Sequence, residues 1–247
     1  MTQRFHGKRI LVTGATSGIG REGALRIARE GGSIIATGRD EDKLATLRAE
    51  LPGNNLIVSN DAAAPDTGIK LASILETGRP LDGLWLNAGF AEVADVESID
   101  ADFFDRMMAA NVRGPVLQMA ALADRLADGA SVVVTSSTST YEGSSMASVY
   151  AATKAALIAL ARCWASALGE RDIRVNALVP GPIDTEFRSF MTPAFRKQFE
   201  ADVTSRLALS RVGTAEEAAS VALFLLSDDA SFVTGAQYAV DGGLVMN

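Results

Sequence analysis

The stretch KRILVTGATSGIGREGALRIAREGG, residues 8–32, changes its hydrophobic period within one continuous segment. KRILVT (8–13) is a β-rich apolar run, the pattern of a strand covered on both faces. REGALRIAREGG, by contrast, reads as a helix that ends at glycine. Between them stands Thr13-Gly14-Ala15-Thr16-Ser17-Gly18-Ile19-Gly20. Gly14 lets the chain turn sharply. Gly18 and Gly20 remove side chains where backbone N–H groups would approach a pyrophosphate at the helix N-terminus. The spacing is GxxxGxG, a variant of the GxGxxG fingerprint, and an ordinary glycine-rich βα turn is the alternative reading.

Working outward, the alternation of strand and helix repeats to the end of the chain. SIIAT (33–37), NLIVS (55–59), LDGLWLN (81–87), SVVVTS (131–136), IRVNALV (173–179) and QYAV (237–240) read as further strands. Most are continuous apolar runs, as parallel strands covered on both faces require. Segments such as DEDKLATLRAEL read as helices. No linker, repeat or low-complexity tract interrupts the rhythm, so the expectation is an α/β chain of one doubly wound, Rossmann-type domain over 1–247, with a seven-stranded parallel sheet. The rhythm breaks only at 181–212, rich in Phe, Met, Pro and charge. Residues 186–212 are expected to be a substrate lid.

Composition removes several function classes. A net charge of −7 argues against a nucleic-acid partner. The expected protein is soluble and cytoplasmic, since no apolar run approaches membrane length and the start lacks a signal-peptide layout. His6 is the only histidine and Cys163 the only cysteine. A Ser-His-Asp hydrolase, a disulfide and a cysteine- or histidine-built metal site are therefore not expected. Cys163, in LIALARCWASAL, reads as a small residue of a helix core. Acid–base chemistry, if present, falls to Tyr, Lys, Asp or Glu.

Tyr150 and Lys154 supply such a pair. Four residues apart on a helix, they share a face and can touch. A free tyrosine titrates near 10, and a neighbouring ammonium is expected to lower that value. Ser137 ends the strand before them, at the carboxyl edge where ligands of such sheets bind, and can orient a substrate oxygen. At the second strand end, Thr37-Gly38-Arg39 offers no carboxylate for the ribose diol of NAD(H), while Arg39 can grip a 2′-phosphate. NADP(H) is favoured and NAD(H) remains possible. Asp61, after the third strand, can accept from an adenine amino group or cap a turn.

With these pieces in place, the chain resembles the short-chain dehydrogenase/reductase family over essentially its whole length. The resemblance rests on TGATSGIG, LNAG (86–89), NVRG (111–114), TSS before YAATK, RVNALVPGPIDT (174–185) and VDGG (240–243). The type it is most similar to is the single-domain bacterial, NADP-preferring alcohol dehydrogenase or ketone reductase. The resemblance implies a catalytic tetrad of Asn111, Ser137, Tyr150 and Lys154. In it Tyr150 is the acid/base, Lys154 also holds the nicotinamide ribose, and Asn111 supports a water that links Lys154 to solvent. It implies cofactor contacts from Gly14, Thr16, Ser17, Gly18, Ile19 and Gly20, and from Asn87, Gly89, Pro180, Gly181, Ile183 and Thr185. It also implies a homotetramer built through the helices of Asn111 and Tyr150 and the C-terminal strand.

Three positions depart from the family pattern: Leu86 replaces an Asn, Thr140 a Gly, and Asp61-Ala62 a DV. Thr140 and Tyr141 are expected to reshape the substrate mouth. Phe90, Tyr141, Met146, Phe187, Phe190 and Met191 are candidate pocket walls. The expected reaction is reversible hydride transfer between NADP(H) and a ketone or secondary alcohol. A 3-oxoacyl-thioester reductase and a non-catalytic dinucleotide-sensing protein are the alternatives.

Overall fold

The computed structural model describes residues 3–51, 53, 55–75, 78–188 and 191–246. Its strands are β1 (Arg9–Val12), β2 (Ser33–Gly38), β3 (Leu56–Ser59), β4 (Leu81–Leu86), β5 (Leu126–Thr135), β6 (Arg174–Pro180) and β7 (Gln237–Val240). They form one seven-stranded sheet in the order β3-β2-β1-β4-β5-β6-β7. Every neighbouring pair runs parallel. This is the Rossmann-like α/β fold expected from the apolar runs. The helices are α1 (Gly18–Arg29), α2 (Glu41–Glu50), α3 (Thr67–Ile74), α4 (Ala101–Met108), α5 (Gly114–Leu122), α6 (Ser139–Glu142), α7 (Ser148–Leu168), α8 (Pro193–Arg206) and α9 (Ala215–Leu226).

Both sheet faces are covered, which explains why the strands do not alternate with polar residues. Successive strand side chains point to opposite faces. Val132 and Val134 accordingly pack with Leu71, Leu122 and Leu157 of α3, α5 and α7. Val133 points the other way and packs with Ile27, Leu44 and Leu223 of α1, α2 and α9. Trp85 on β4 is fully buried, and a Cβ at Gly23 of α1 would stand 2.2 Å from its ring. That glycine lets α1 lie close on the sheet.

Strand order reverses between β1 and β4, which are direct neighbours. Chains leaving their carboxyl ends diverge, so a crevice opens above them. The TGATSGIG turn follows β1 and Asn87–Gly89 follows β4; the topology therefore places both motifs at its rim.

Two expectations need correction. β5 begins at Leu126, five residues before the expected start, because the sheet accepts a register shift between Leu81 and Gly83. Gly129, at φ +77°, absorbs it within what reads locally as a turn. Cys163 is exposed, not core. The buried residues of α7 are spaced Leu157, Ile158, Ala161, Ala165, and Cys163 falls on the opposite side of the helix.

The segment that breaks the rhythm at 181–212 leaves and rejoins the sheet edge at a backbone clasp. Gly213 N–H donates to the Pro182 carbonyl (3.0 Å) and Asp184 N–H to the Gly213 carbonyl (2.8 Å). Between these points lie a 3₁₀ turn at Glu186–Arg188 and α8. Phe190 lies outside the described residues.

Candidate active site

A cavity of about 630 Å³ runs along the carboxyl edge of the sheet. That volume is within the range of small-molecule and cofactor sites, about 300–1,000 Å³. It gathers Gly14, Thr16, Ser17, Gly18, Ile19, Arg39, Asp61, Asn87 and Gly89 with Ser137, Tyr150, Lys154, Pro180, Gly181, Ile183 and Thr185. Two residues singled out from sequence, Gly20 and Asn111, stand behind its wall.

At one end the chain turns through Gly14 and Gly18, both in the left-handed region at φ +64° and +53°. A Cβ on Gly14 would sit 2.8 Å from the Ala88 backbone, and one on Gly18 would sit 3.2 Å from Thr185. Gly20 acts differently from the sequence expectation. A Cβ there would meet Asn87 Nδ2 at 2.4 Å and the Gly14 carbonyl at 2.5 Å, so this glycine seats α1 against the turn instead of opening a path to a ligand.

The turn is braced from below by a network of side chains. Thr13 Oγ1 accepts from the backbone N–H groups of Asn87 and Ala88, each at 3.0 Å. Asn87 Nδ2 donates to the carbonyls of Thr13 and Gly14, both at 3.2 Å. Asn87 Oδ1 accepts from Thr135 Oγ1 (3.1 Å), which itself accepts from Trp85 Nε1 (2.9 Å). Buried polar groups that are all satisfied make such a network rigid.

The residues at the turn fit a dinucleotide: a side-chain-free cradle, the open N-terminus of α1, and no first-turn acid to repel a phosphate. Arg39 is exposed at the cleft rim and makes no ion pair with Asp40 or Glu41 among the described residues. Asp40 is occupied as the α2 cap, accepting from the N–H groups of Asp42 and Lys43 at 3.1 Å. Thr37 is buried and faces away; the strand-tip residue that opens on the cavity is Gly38. Asp61 lines the cavity while its Oδ1 caps a turn through Ala63 N–H at 2.9 Å.

At the other end Tyr150 and Lys154 project from α7 into the cavity. Lys154 is almost wholly buried and its Nζ donates to the Thr135 carbonyl at 2.9 Å. Ser136 Oγ donates to the Lys154 carbonyl at 2.7 Å, tying α7 to the end of β5. Ser137 Oγ accepts from Ser139 N–H at 3.2 Å. Asn111 is completely buried in a π-helical turn between α4 and α5. Its Nδ2 donates to the Phe90 carbonyl (2.9 Å) and Thr153 Oγ1 (3.2 Å), and its Oδ1 accepts from Phe90 N–H (3.0 Å). Both amide protons are used, so the Asn111 side chain braces the loop after β4 against α7. A Cβ on Gly89 would stand 2.9 Å from Asn111 Oδ1 and 3.2 Å from Lys154 Nζ. Only glycine leaves these two groups where they are.

Burial outweighs the lowering expected from Lys154 alone. In the chain by itself the Tyr150 phenol is pushed up to about 12, chiefly by burial; a hydrogen bond with Ser137 opposes this and the Glu142 carboxylate adds to it. Burial pulls Lys154 down to about 8. In the chain by itself Tyr150 is thus held protonated.

Phe90, Met146, Phe187 and Met191 line the cavity, and the Phe187 ring lies 6.1 Å from that of Tyr150. Tyr141 does not line it; its hydroxyl donates to Gln237 Oε1 on β7 at 2.5 Å. Thr140 is likewise outside the lining. Sequence reasoning missed Thr135, Lys43, Glu142 and Glu186, and gave no role to Thr13 or Thr153 within the motifs it quoted. Only position marks them.

Residues 14–245 match the family model described as Enoyl-(Acyl carrier protein) reductase, adh_short_C2. The chain is 36% identical over 252 residues to the L-xylulose reductase of Caenorhabditis elegans, covering 98% of each. It is 34% identical over 249 residues to the 3-oxoacyl-[acyl-carrier-protein] reductase FabG of Thermotoga maritima, covering 98% of this chain and all of that one. Among solved structures, a blue fluorescent protein from a metagenomic library in complex with NADPH superposes with a TM-score of 0.91 at 30% identity, over 98% of this chain and 100% of the other. The chain belongs to the short-chain dehydrogenase/reductase family and is an NAD(P)-dependent oxidoreductase.

Proposed function

We propose that this protein transfers hydride reversibly between NADP(H) and a ketone or secondary alcohol, with Tyr150 as the acid/base. The observation that carries this reading is the convergence of Tyr150, Ser137 and Lys154 in the same cavity as the glycine turn and Arg39. A nicotinamide bound along that cavity supplies or takes the hydride at the carbonyl carbon. The turn after β1 would hold the pyrophosphate, Arg39 the 2′-phosphate, Lys154 the nicotinamide ribose, and Ile183 and Thr185 the nicotinamide end.

In reduction, Ser137 orients the substrate oxygen and Tyr150 donates its proton to it. Burial holds the phenol protonated in the chain by itself, the state from which it can donate. In oxidation Tyr150 takes the proton instead. Asn111 acts through position, holding Phe90 and α7 in register and with them Lys154.

Residues 186–212 serve as the lid. Their closure over the cavity draws on exposed ion pairs such as Lys43–Glu186. Such pairs contribute no more than about 1 kcal/mol each, so the lid can open readily. The reading places the protein in the cytoplasm as a homotetramer. Exposed apolar surface at Phe104 on α4 and Phe232 before β7 supports the assembly, which sedimentation would test.

The decisive experiment follows NADPH and NADH consumption against a panel of simple ketones, hydroxyketones and 3-oxoacyl thioesters. Turnover of ketones with NADPH supports the reading. Turnover confined to thioesters replaces it with acyl-chain reduction, and no turnover of any class removes it.

A further inference from the structure

Glu142 closes the short helix α6, five residues beyond Ser137, and lines the cavity beside Ser137 and Tyr150. Three other carboxylates line that cavity, each with a partner of its own. Asp40 caps α2, Asp61 caps the turn at Ala63, and Glu186 pairs with Lys43. Glu142 stands at the chemical end, near enough to Tyr150 for its charge to act on the phenol.

It has two partners among the described residues. The side chain is only 17% exposed. Thr138 Oγ1 donates to Oε1 at 2.7 Å. Oε2 faces Arg206 of α8 at 3.6 Å, beyond hydrogen-bond reach. A carboxylate has about four acceptor sites, so Glu142 can accept further donors beside Thr138. Ser139, Ser144 and Ser145 line the cavity too, as do Phe90 and Met146. Ser139 Oγ and Thr140 Oγ1 are buried without a partner among the described residues.

A negative charge here opposes phenolate formation on Tyr150, so it hinders alcohol oxidation. A plain alkyl ketone would worsen matters by covering the carboxylate and giving it no donor. A hydroxyl on the substrate resolves both difficulties, since its O–H donates to Glu142 and disperses the charge.

We infer that Glu142 accepts a hydrogen bond from a second hydroxyl of the substrate, and that the substrate is a polyhydroxylated ketone or the corresponding polyol. This deepens the ketone/alcohol reading above and rests on it. Ser137 and Tyr150 hold the reacting oxygen, and Glu142 holds a hydroxyl farther along the carbon chain. Glu142 is then a specificity residue, while Met146 and Phe90 cover the carbon backbone.

The test compares a ketopentose, hydroxyacetone and 2-butanone, with NADPH, in the parent and in Glu142→Ala, Glu142→Gln and Arg206→Ala. The parent should favour the ketopentose over 2-butanone by at least about tenfold in kcat/KM, well below the 10⁴–10⁵ that a fully built hydroxyl site can reach. Glu142→Ala should erase most of that ratio through KM, and Glu142→Gln, whose amide oxygen still accepts, should restore part of it. Arg206→Ala should leave the ratio in place. Calorimetry of ketopentose binding to Tyr150→Phe with cofactor present, with and without Glu142→Ala, reads recognition apart from turnover; the second change should weaken binding about tenfold or more. An unaltered ratio in Glu142→Ala overturns the inference, as does an equal loss in Arg206→Ala, which would make Glu142 an anchor for α8. A parent that reduces 2-butanone as well as the ketopentose also overturns it and leaves the ketone reading standing. A parent that reduces neither, and binds neither, removes both.

Discussion

Lys154 Nζ stands 5.7 Å from the centre of the Tyr150 ring, one turn along the same helix, yet its hydrogen bond goes to the Thr135 carbonyl at 2.9 Å. The pair that reads from sequence as a direct contact is a pair held side by side, with the ammonium anchored on β5. The anchoring stores a cost. Lys154 drops from the usual 10.5 to about 8 because its charge is buried, which corresponds to about 3 kcal/mol against the folded state.

Lys154→Met should therefore lose turnover yet gain stability at pH 7. The gain is about 2 kcal/mol, once about 1 kcal/mol is deducted for the lost hydrogen bond. The sign follows from the lowered folded value: the cost is fully present below pH 8 and is relieved as pH rises from 8 towards 10.5. Thermal melts of parent and variant should differ most at pH 7 and converge only near pH 10. A variant less stable than the parent at pH 7 would mean that the lysine is held charged at no cost.

Gly89→Ala tests the packing behind the site. Its Cβ would press on Asn111 Oδ1 and Lys154 Nζ at 2.9 and 3.2 Å. Displacements of about 1 Å at catalytic groups can cost about 10²-fold. The variant should fold, bind cofactor and lose activity on that order. Parent-like kcat would show that the two groups move aside freely.

The pH profiles of the two directions should differ. A phenol held near 12 is protonated through neutrality, so reduction should be flat from pH 6 to 8. Oxidation needs the phenolate and should rise with pH over the same range. Glu142→Gln removes a charge that raises Tyr150, so its oxidation profile should shift to lower pH. Tyr150→Phe should keep cofactor binding and lose about 10²–10⁴-fold in either direction. Near-normal turnover in Tyr150→Phe would take the phenol out of the chemistry.

Cofactor choice hangs on Arg39 and Gly38. Arg39→Ala should weaken NADPH by about 1.5–3 kcal/mol, the contribution of a charged hydrogen bond, and leave NADH nearly untouched. Gly38→Asp should swing preference to NADH by placing an acceptor at the open strand tip, with Thr16 rotating to admit the new Cβ, 2.4 Å from its methyl. The same change at Thr37 would bury a carboxylate. Efficiency ratios for the two cofactors decide, and a ratio unmoved by Arg39→Ala would leave Arg39 as a surface charge.

Shortening Phe187 or Met191 to Ala should alter ketone selectivity more than cofactor affinity, since both line the cavity and Phe187 stands over Tyr150. An unchanged selectivity profile in both would place the substrate elsewhere.

The fold was readable from the chain because its signals are local. Apolar runs without alternation mark strands buried on both faces, and Val132, Val133 and Val134 show why, serving the two cores in turn. Gly14 and Gly18 reveal themselves because only glycine takes their backbone angles cheaply. Parallel order then carries Ser137 and Tyr150 to the same sheet edge. Partnership and desolvation are another matter, since they join residues far apart in sequence. No spacing tells that Tyr141 turns out to Gln237 while Glu142, one residue on, turns into the cavity. Nor does any local pattern show Asn111 spending its amide on Phe90 and Thr153, or Cys163 facing outward. Tyr150 and Lys154 are legible as a pair, but their protonation depends on how much water the folded walls exclude, and only the tertiary structure decides that.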